Sequence, residues 1–260
     1  MKIINRFTTV FFSLLVLLFF NACQKVIDVD LNSKDPLYVV EGFVTLGETT
    51  HRLTITKSLD IDESIAYPTV DNATVVLSDD QGNSQVMAMV GPGIYEVSGF
   101  SVSEGHTYSV SISVDDKQFN ASGKMPFDVP FDSLEVFPFS FGPASVNTLV
   151  PIRIDPAGIE NFYQFNVIQN GKKVPGIFIQ YDKFSDGNEM TEPIFAGELL
   201  TGDTVIVEMF GIDKTIFTYF YTLQQNQQGA TPANPTSNFS GGCLGYFSVR
   251  TKGVKQIVIP

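Results

Sequence analysis

The sequence predicts a mainly β protein: an N-terminal immunoglobulin-like β-sandwich followed by a second β-rich domain with one helix. Three observations predict it. The 260 residues include 23 Phe and 9 Tyr but only 17% charged residues, and few Lys and Glu beside many Val, Ile, Thr, Phe and Tyr favour strands over helices. Short segments alternate apolar and polar residues, the period-2 mark of a half-buried strand. Gly, Asn, Asp and Pro clusters punctuate these segments at the spacing of a sandwich.

Residues 37–46 (LYVVEGFVTL) read as the first strand. Residues 52–57 (RLTITK) alternate with Leu53 and Ile55 on one face. Residues 73–78 (ATVVLS) run into the turn cluster Asp79-Asp80-Gln81-Gly82-Asn83, and 85–90 return from it. Gly91-Pro92-Gly93 turns the chain into 94–97; 108–114 (YSVSISV) alternate cleanly, and 118–124 follow the turn at 115–117. The first domain is thus expected over 37–125 and the second over 126–260. Pro126, Pro130, Pro138, Pro143, Pro151 and Pro156 mark a zone of loops and edge strands, because proline donates nothing to a strand ladder. Phe127, Phe131, Phe137, Phe139 and Phe141 cluster in it and are expected to pack as core or as an inter-domain seam.

Further on, 162–169 (FYQFNVIQ) lead into Asn170-Gly171, a strong hairpin signal, with 172–181 as the partner, bulged at Pro175-Gly176. Residues 204–210 (TVIVEMF) form another strand. The helix is expected near 213–228: Asp213 can accept from the amides of the first turn, Ile216, Tyr219, Phe220 and Leu223 recur at helical spacing, and Gly229 stops the run. Strands at 244–250 and 254–259 close the chain.

The first residues, MKIINRFTTVFFSLLVLLFFNAC, carry Lys2 and Arg6 before an apolar run from Val10 to Phe20. The run is shorter than the roughly 20 apolar residues that span a bilayer and has the form of a secretory signal. It ends at Ala22-Cys23, which resembles the lipobox of bacterial lipoproteins. Residues 1–22 therefore read as a signal peptide, Cys23 as the lipidated residue and 23–36 as a polar tether. Acyl chains gain roughly 0.8 kcal/mol per buried methylene, enough to hold the protein on a membrane.

Formal net charge is −12, and loss of Lys2 and Arg6 with the signal brings it to about −14. Such acidity argues against nucleic acid, whose binders need a basic surface. Cys243 is the other cysteine; with Cys23 on lipid it has no disulfide partner and is expected as a packed thiol. Asp182, Asp186, Gly187, Asn188 and Glu189 partly mimic a calcium loop, but Phe184 stands where an oxygen ligand is needed, so a solvated loop is expected. His51 and His106 lie in separate segments with no visible partner for acid–base work. Asn234, Ser237, Asn238 and Ser240, near Phe239 and Tyr246, make the 231–242 loop a binding candidate for a glycan or a peptide edge, but a turn that wraps the sheet, steered by its prolines and glycines, is the stronger expectation. No catalytic, metal or cofactor motif is present, and no enzyme is expected.

Several blocks occur in a characteristic order: VVEGFVT at 39–45, DNATVVLSDDQGN at 71–83, PGIYEV at 92–97, GHTYSVSI at 105–112, NFYQFNVIQNG at 161–171, GDTVIVE at 202–208, IDKTIFTYFYTL at 212–223 and PANPTSNFSGGCLGYFS at 232–248. Together with the cysteine and its acidic tether, this order resembles an uncharacterised family of Bacteroidota outer-membrane lipoproteins, a domain of unknown function. Its members are typically encoded beside TonB-dependent receptors. The resemblance implies a lipid-anchored protein on the periplasmic or cell-surface face of the outer membrane. It implies a non-enzymatic accessory or binding role in TonB-dependent nutrient uptake, with such a receptor as partner. The alternative is a structural or adhesive cell-surface β-sandwich protein.

Overall fold

The computed structural model describes residues 35–260 apart from 60–65, 143, 184 and 228–233. The signal peptide, Cys23 and nearly all of the tether lie outside the described residues. Seven strands follow one another from the N-terminal side: β1 (Tyr38–Thr45), β2 (Thr50–Lys57), β3 (Thr74–Asp79), β4 (Ser84–Gly91), β5 (Ile94–Ser98), β6 (Thr107–Val114) and β7 (Lys117–Lys124). Their alternation is that of the sequence: in β6, Tyr108, Val110, Ile112 and Val114 are buried. β4 pairs with both β3 and β5, and its register shifts between Met89 and Gly91, so the strand turns the corner between two layers. Val40, Ile55 and Tyr95 from one layer meet Val75, Ile112 and Phe119 from the other in a single core. Each such side chain stabilises by about 1.5–3 kcal/mol on burial.

The remaining elements are β8 (Ser133–Phe141), β9 (Ala144–Ile154), β10 (Phe162–Gln169), β11 (Lys172–Lys173), β12 (Phe178–Tyr181), β13 (Glu189–Met190), β14 (Thr204–Ile212), α1 (Lys214–Gln227), β15 (Leu244–Arg250) and β16 (Gly253–Val258). The order β11-β10-β14-β16, with β12 also on β10, makes one sheet, and β13-β9-β8 makes another. Leu134 and Leu149 from the second face Tyr163, Phe165, Val207 and Met209 from the first. The Asn170-Gly171 turn forms as expected, both residues at positive φ, and β11 and β12 share β10 with a break at 174–177. Helix α1 lies on the other face of this sheet, where Ile216, Tyr219 and Phe220 cover Phe162, Phe210 and Ile212. The protein is mainly β, with a β-sandwich and one helix among the described residues.

The boundary expected at 125–126 does not separate two self-contained segments. β15, from the far end of the chain, runs parallel to β1 through seven residue pairs, Val39↔Leu244 to Thr45↔Arg250, and completes the first sheet. Phe239, Cys243, Phe247 and Val249 belong to the first core, so the sandwich of 37–125 is closed by residues of 126–260. Alternation marks a strand but not its partner, and a parallel partner is distant in sequence by construction. Residues Pro36–Pro260 accordingly pack as one compact unit. Arg250 reinforces the join: its guanidinium lies 3.9 Å from the ring centre of Phe43 in β1 and 4.0 Å from that of Phe210 in β14. Nε donates to Thr45 Oγ1 at 3.2 Å.

The proline-rich zone forms the β8–β9 hairpin. Among the described residues β8 pairs only with β9, so Pro138 sits in an edge strand, where its missing N–H is harmless. Phe131 enters the second core, whereas Phe137 and Phe139 are exposed on the hairpin and take no part in a seam. Inside the second core, Arg153 is wholly buried. It lies 4.0 Å from the Tyr163 ring centre, and Nη2 donates to Gln180 Oε1 at 2.9 Å. Burial pulls its guanidinium below the usual arginine range, a charge kept in the core by ring faces and amide oxygens.

Candidate functional site

The sequence-named polar residues are spent mostly on structure. His51 is buried, with Nε2 2.9 Å from the Phe100 carbonyl oxygen, and desolvation lowers its pKa so that it stays neutral. His106 is half-exposed and pairs with Asp80 at 2.9 Å. The two histidines thus serve different neighbours. Cys243 is buried and its thiol is pushed up to about 12 by desolvation, so almost no nucleophilic thiolate exists at neutral pH.

In the acidic loop, Asp182 is buried and its Oδ2 accepts the Asn161 amide at 2.8 Å, and Asp186 accepts the amide of Gly158. The carboxylates therefore fasten the 155–161 segment. Phe184 lies outside the described residues. Among the described residues, no group of three or more His, Cys, Asp or Glu side chains is placed to hold a metal ion.

The 231–242 loop closes the first sandwich. Its residues 231–233 lie outside the described residues. Asn238 donates to and accepts from the Phe247 backbone at 2.8 and 3.0 Å, like a neighbouring strand. Ser237 donates to the Gly245 carbonyl at 2.7 Å, and Ser240 bridges to Asn120 of β7. Phe239 is buried. Three of the four donors that made this loop a binding candidate, Ser237, Asn238 and Ser240, are occupied by backbone.

An open cleft forms elsewhere, from β10, β12 and the start of α1. In β10, residues 163, 165 and 167 face the second core, which leaves Phe162 on the helix side. Register places Tyr181 opposite Phe162, so the two rings share a face, 6.4 Å apart and only 11° from parallel. On α1, Phe217 and Tyr221 are four residues apart and so project together, 6.2 Å apart and 15° from parallel. Phe217 meets Phe162 at 5.2 Å and Tyr181 at 5.4 Å. These rings floor a hollow of about 420 Å³ with Glu160, Asp182, Lys183, Lys214 and Thr218 around it.

A second hollow of about 390 Å³ shares Glu160, Phe162 and Lys214 with the first and reaches Met125, Pro126 and Phe127 at the end of the first sandwich. Lys214 Nζ lies 3.1 Å from a Glu160 carboxylate oxygen between them, both side chains largely exposed. Both volumes fall within the roughly 300–1,000 Å³ of small-ligand sites. A larger trough, about 790 Å³, runs along the β8–β9 face past Phe137 and Phe139. Of these three hollows the cleft alone brings rings from three elements against an ion pair, and it is the better-built site.

Asp213 anchors one end of the cleft. Its Oδ1 accepts the amides of Thr215 at 2.7 Å and Ile216 at 3.0 Å, the helix cap read from the sequence. Its carboxyl is pushed above the usual range by burial, which the cap bonds only partly offset. A Cβ at Gly123 of β7 would stand 3.1 Å from Asp213 Oδ2, so the glycine admits the carboxylate against the first sandwich. The sequence marked the α1 rings as a packing face, and Tyr219 and Phe220 do pack, against Tyr246 at 4.9 and 5.1 Å. Phe217, which the sequence places beside that stripe, and Tyr221 stand on the flank instead. Their four-residue spacing was visible, but the strand residues they meet are determined by register.

The family model for DUF4249, a domain of unknown function, matches residues 24–256. The chain belongs to the DUF4249 family. Among solved structures, this DUF4249 chain is 14% identical to a two-domain fibronectin type III segment of chicken tenascin, with 68% of this chain and 91% of that one covered and a TM-score of 0.25. It is also 14% identical to a pullulanase from Anoxybacillus sp. LM18-11 complexed with maltotriose, with a TM-score of 0.21; 65% of this chain is covered but only 24% of the pullulanase. At these scores neither likeness bears on structure or activity. No curated protein matches the sequence.

Proposed function

We propose that this DUF4249 protein is an exported lipoprotein, anchored to the outer membrane through Cys23, that acts as a non-enzymatic binding component of a TonB-dependent nutrient uptake system. The observation that carries this reading is the leader: Lys2 and Arg6, an apolar run, then Ala22-Cys23 followed by a polar stretch. The block order from Val39 to Ser248, with its resemblance to lipoproteins encoded beside such receptors, supports the choice of partner. The open aromatic cleft supports a binding role. Among the described residues no helix is long and apolar enough to cross a membrane, so membrane attachment in this reading falls to the lipid.

Two measurements test it. Palmitate labelling should mark the wild type and vanish in Cys23→Ser, with the variant leaving the membrane fraction or stalling unprocessed; unchanged labelling would sink the anchor. Tagged protein purified from native membranes should retain a TonB-dependent β-barrel receptor. Recovery without any such receptor across several detergents would remove the uptake role.

A further inference from the structure

We infer that the cleft floored by Phe162, Tyr181, Phe217 and Tyr221 is a binding site for a neutral glycan. This rests on the binding role proposed above and gives it a ligand class. The first argument is shape. Two nearly parallel ring pairs, at 11° and 15°, meet through Phe217. The outer rings remain open to solvent, Tyr181 at 42% and Tyr221 at 47% exposure. Single exposed rings are common, but contiguous exposed apolar surface marks an interaction site, and here four rings line one hollow. An aromatic face is electron-rich. One side of a pyranose presents C–H groups with slight positive charge, so sugar and ring stack face to face without charge on either.

The second argument is the rim. Glu160 supplies an acceptor and Lys214 a donor within 3.1 Å of each other. A sugar hydroxyl both donates and accepts, and vicinal hydroxyls can engage both groups of such a pair at once. Asp182 and Lys183 also line the hollow, so two carboxylates stand against two lysines and the rim is formally neutral, with no excess attraction to an anion or a cation. The full chain at −12 further disfavours anionic ligands. The third argument is length. The adjoining hollow beyond the ion pair extends the site past Phe127, so a chain of sugars rather than a single ring fits the cleft.

The test is calorimetric titration of the mature lipidated protein in detergent with cellohexaose, xylohexaose, mannohexaose and maltohexaose, against a detergent blank. At least one should bind saturably. Tyr181→Ala and Tyr221→Ala should each weaken that binding about tenfold or more. Tyr181→Phe and Tyr221→Phe, which keep the faces, should retain most of it. Tyr67→Ala, at an exposed tyrosine of the first sandwich, should change nothing. Unchanged melting of the alanine variants would show that they fold. No saturable heat with any of the four sugars overturns the inference, as does binding indifferent to both alanine changes. Recovery of the protein in the membrane fraction is scored separately, so failure of the cleft is distinguishable from failure of the anchor.

Discussion

Gly245 gives the sharpest test of the way the chain closes on itself. It sits in β15 opposite Val40 at a φ of +92°, and a Cβ there would fall 1.9 Å from the Val40 carbonyl oxygen and 2.7 Å from its carbon. In Gly245→Ala, β1 must retreat by about 1 Å to reach even the 3.0 Å that bounds real Cβ contacts. The left-handed backbone costs alanine about 1–2 kcal/mol. The retreat disrupts ladder bonds worth about 0.5–1.5 kcal/mol each and loosens the buried neighbours Val40 and Val249. A total loss of about 3–5 kcal/mol follows, within the range of severe single substitutions. Gly242→Ala is the matched control: φ is +87°, but nothing lies within 4 Å of its Cβ, so only the backbone cost of about 1–2 kcal/mol applies. Urea unfolding and thermal melts, both followed by near-ultraviolet circular dichroism of the tyrosines, measure the two variants. Gly245→Ala should melt roughly 10 °C lower, taking about 2–4 °C per kcal/mol at this chain length. Equal losses in the two variants would refute the parallel β1–β15 pairing.

The remaining expectations concern the seam and the buried groups. Asp213→Ala should destabilise by about 1 kcal/mol through loss of the helix cap, whereas Asp213→Asn, which keeps an acceptor, should match or exceed the wild type at pH 7. An acid whose folded pKa lies above its unfolded value loses stability as pH rises between the two, so the advantage of Asn should disappear below about pH 4; an advantage that persists there would be inconsistent with charge burial at this site. Arg250→Lys should cost about 1–2 kcal/mol, because an ammonium cannot lie flat between the Phe43 and Phe210 rings; chemical denaturation checks this, and an unchanged midpoint would dismiss the strut. Cys243 should resist maleimide at pH 8 in the folded protein and react at once in guanidinium; mass spectrometry reads both states, and fast native labelling would contradict its burial.

The strands of the first sandwich were legible because their alternation is local: 52–57, 73–78 and 108–114 each carry their inward face in the sequence. The Asn170-Gly171 turn and the Asp213 cap were legible for the same reason, since turn and cap chemistry depends on neighbours two or three residues away. The β8–β9 hairpin was concealed by its prolines, which mark an edge correctly but give no sign of pairing. The membership of β15 was concealed by distance. The 231–242 loop allowed two readings, a binding loop or a turn wrapping the sheet, because polar side chains that stitch a loop to strands have the same composition as those that await a ligand. Asn238 is the case in point, holding both strand-like bonds of Phe247 with one side chain. The aromatic cleft was half legible, as the α1 spacing brings Phe217 and Tyr221 together, but Phe162 and Tyr181 join them only through the β10–β12 register.

The strand that closes the first sandwich also sets the posture of the cleft. Tyr246 of β15 packs behind Tyr219 and Phe220 of α1, and its own burial is deep enough to raise its phenol above the usual range. The front of the same helix displays Phe217 and Tyr221. The ring platform is therefore braced from the first sandwich through β15, from the second through Phe162 and Phe210, and at its start by the Asp213 cap. A surface held this way loses little side-chain freedom on binding, which is where preformed sites gain affinity. Damage at the brace should then reach the cleft without touching it: Gly245→Ala, remote from every ring of the platform in sequence, should weaken glycan binding along with stability, while Gly242→Ala should lower stability modestly and leave the titration unchanged. Binding that survived in folded Gly245→Ala would mean that α1 is positioned by its own sheet alone.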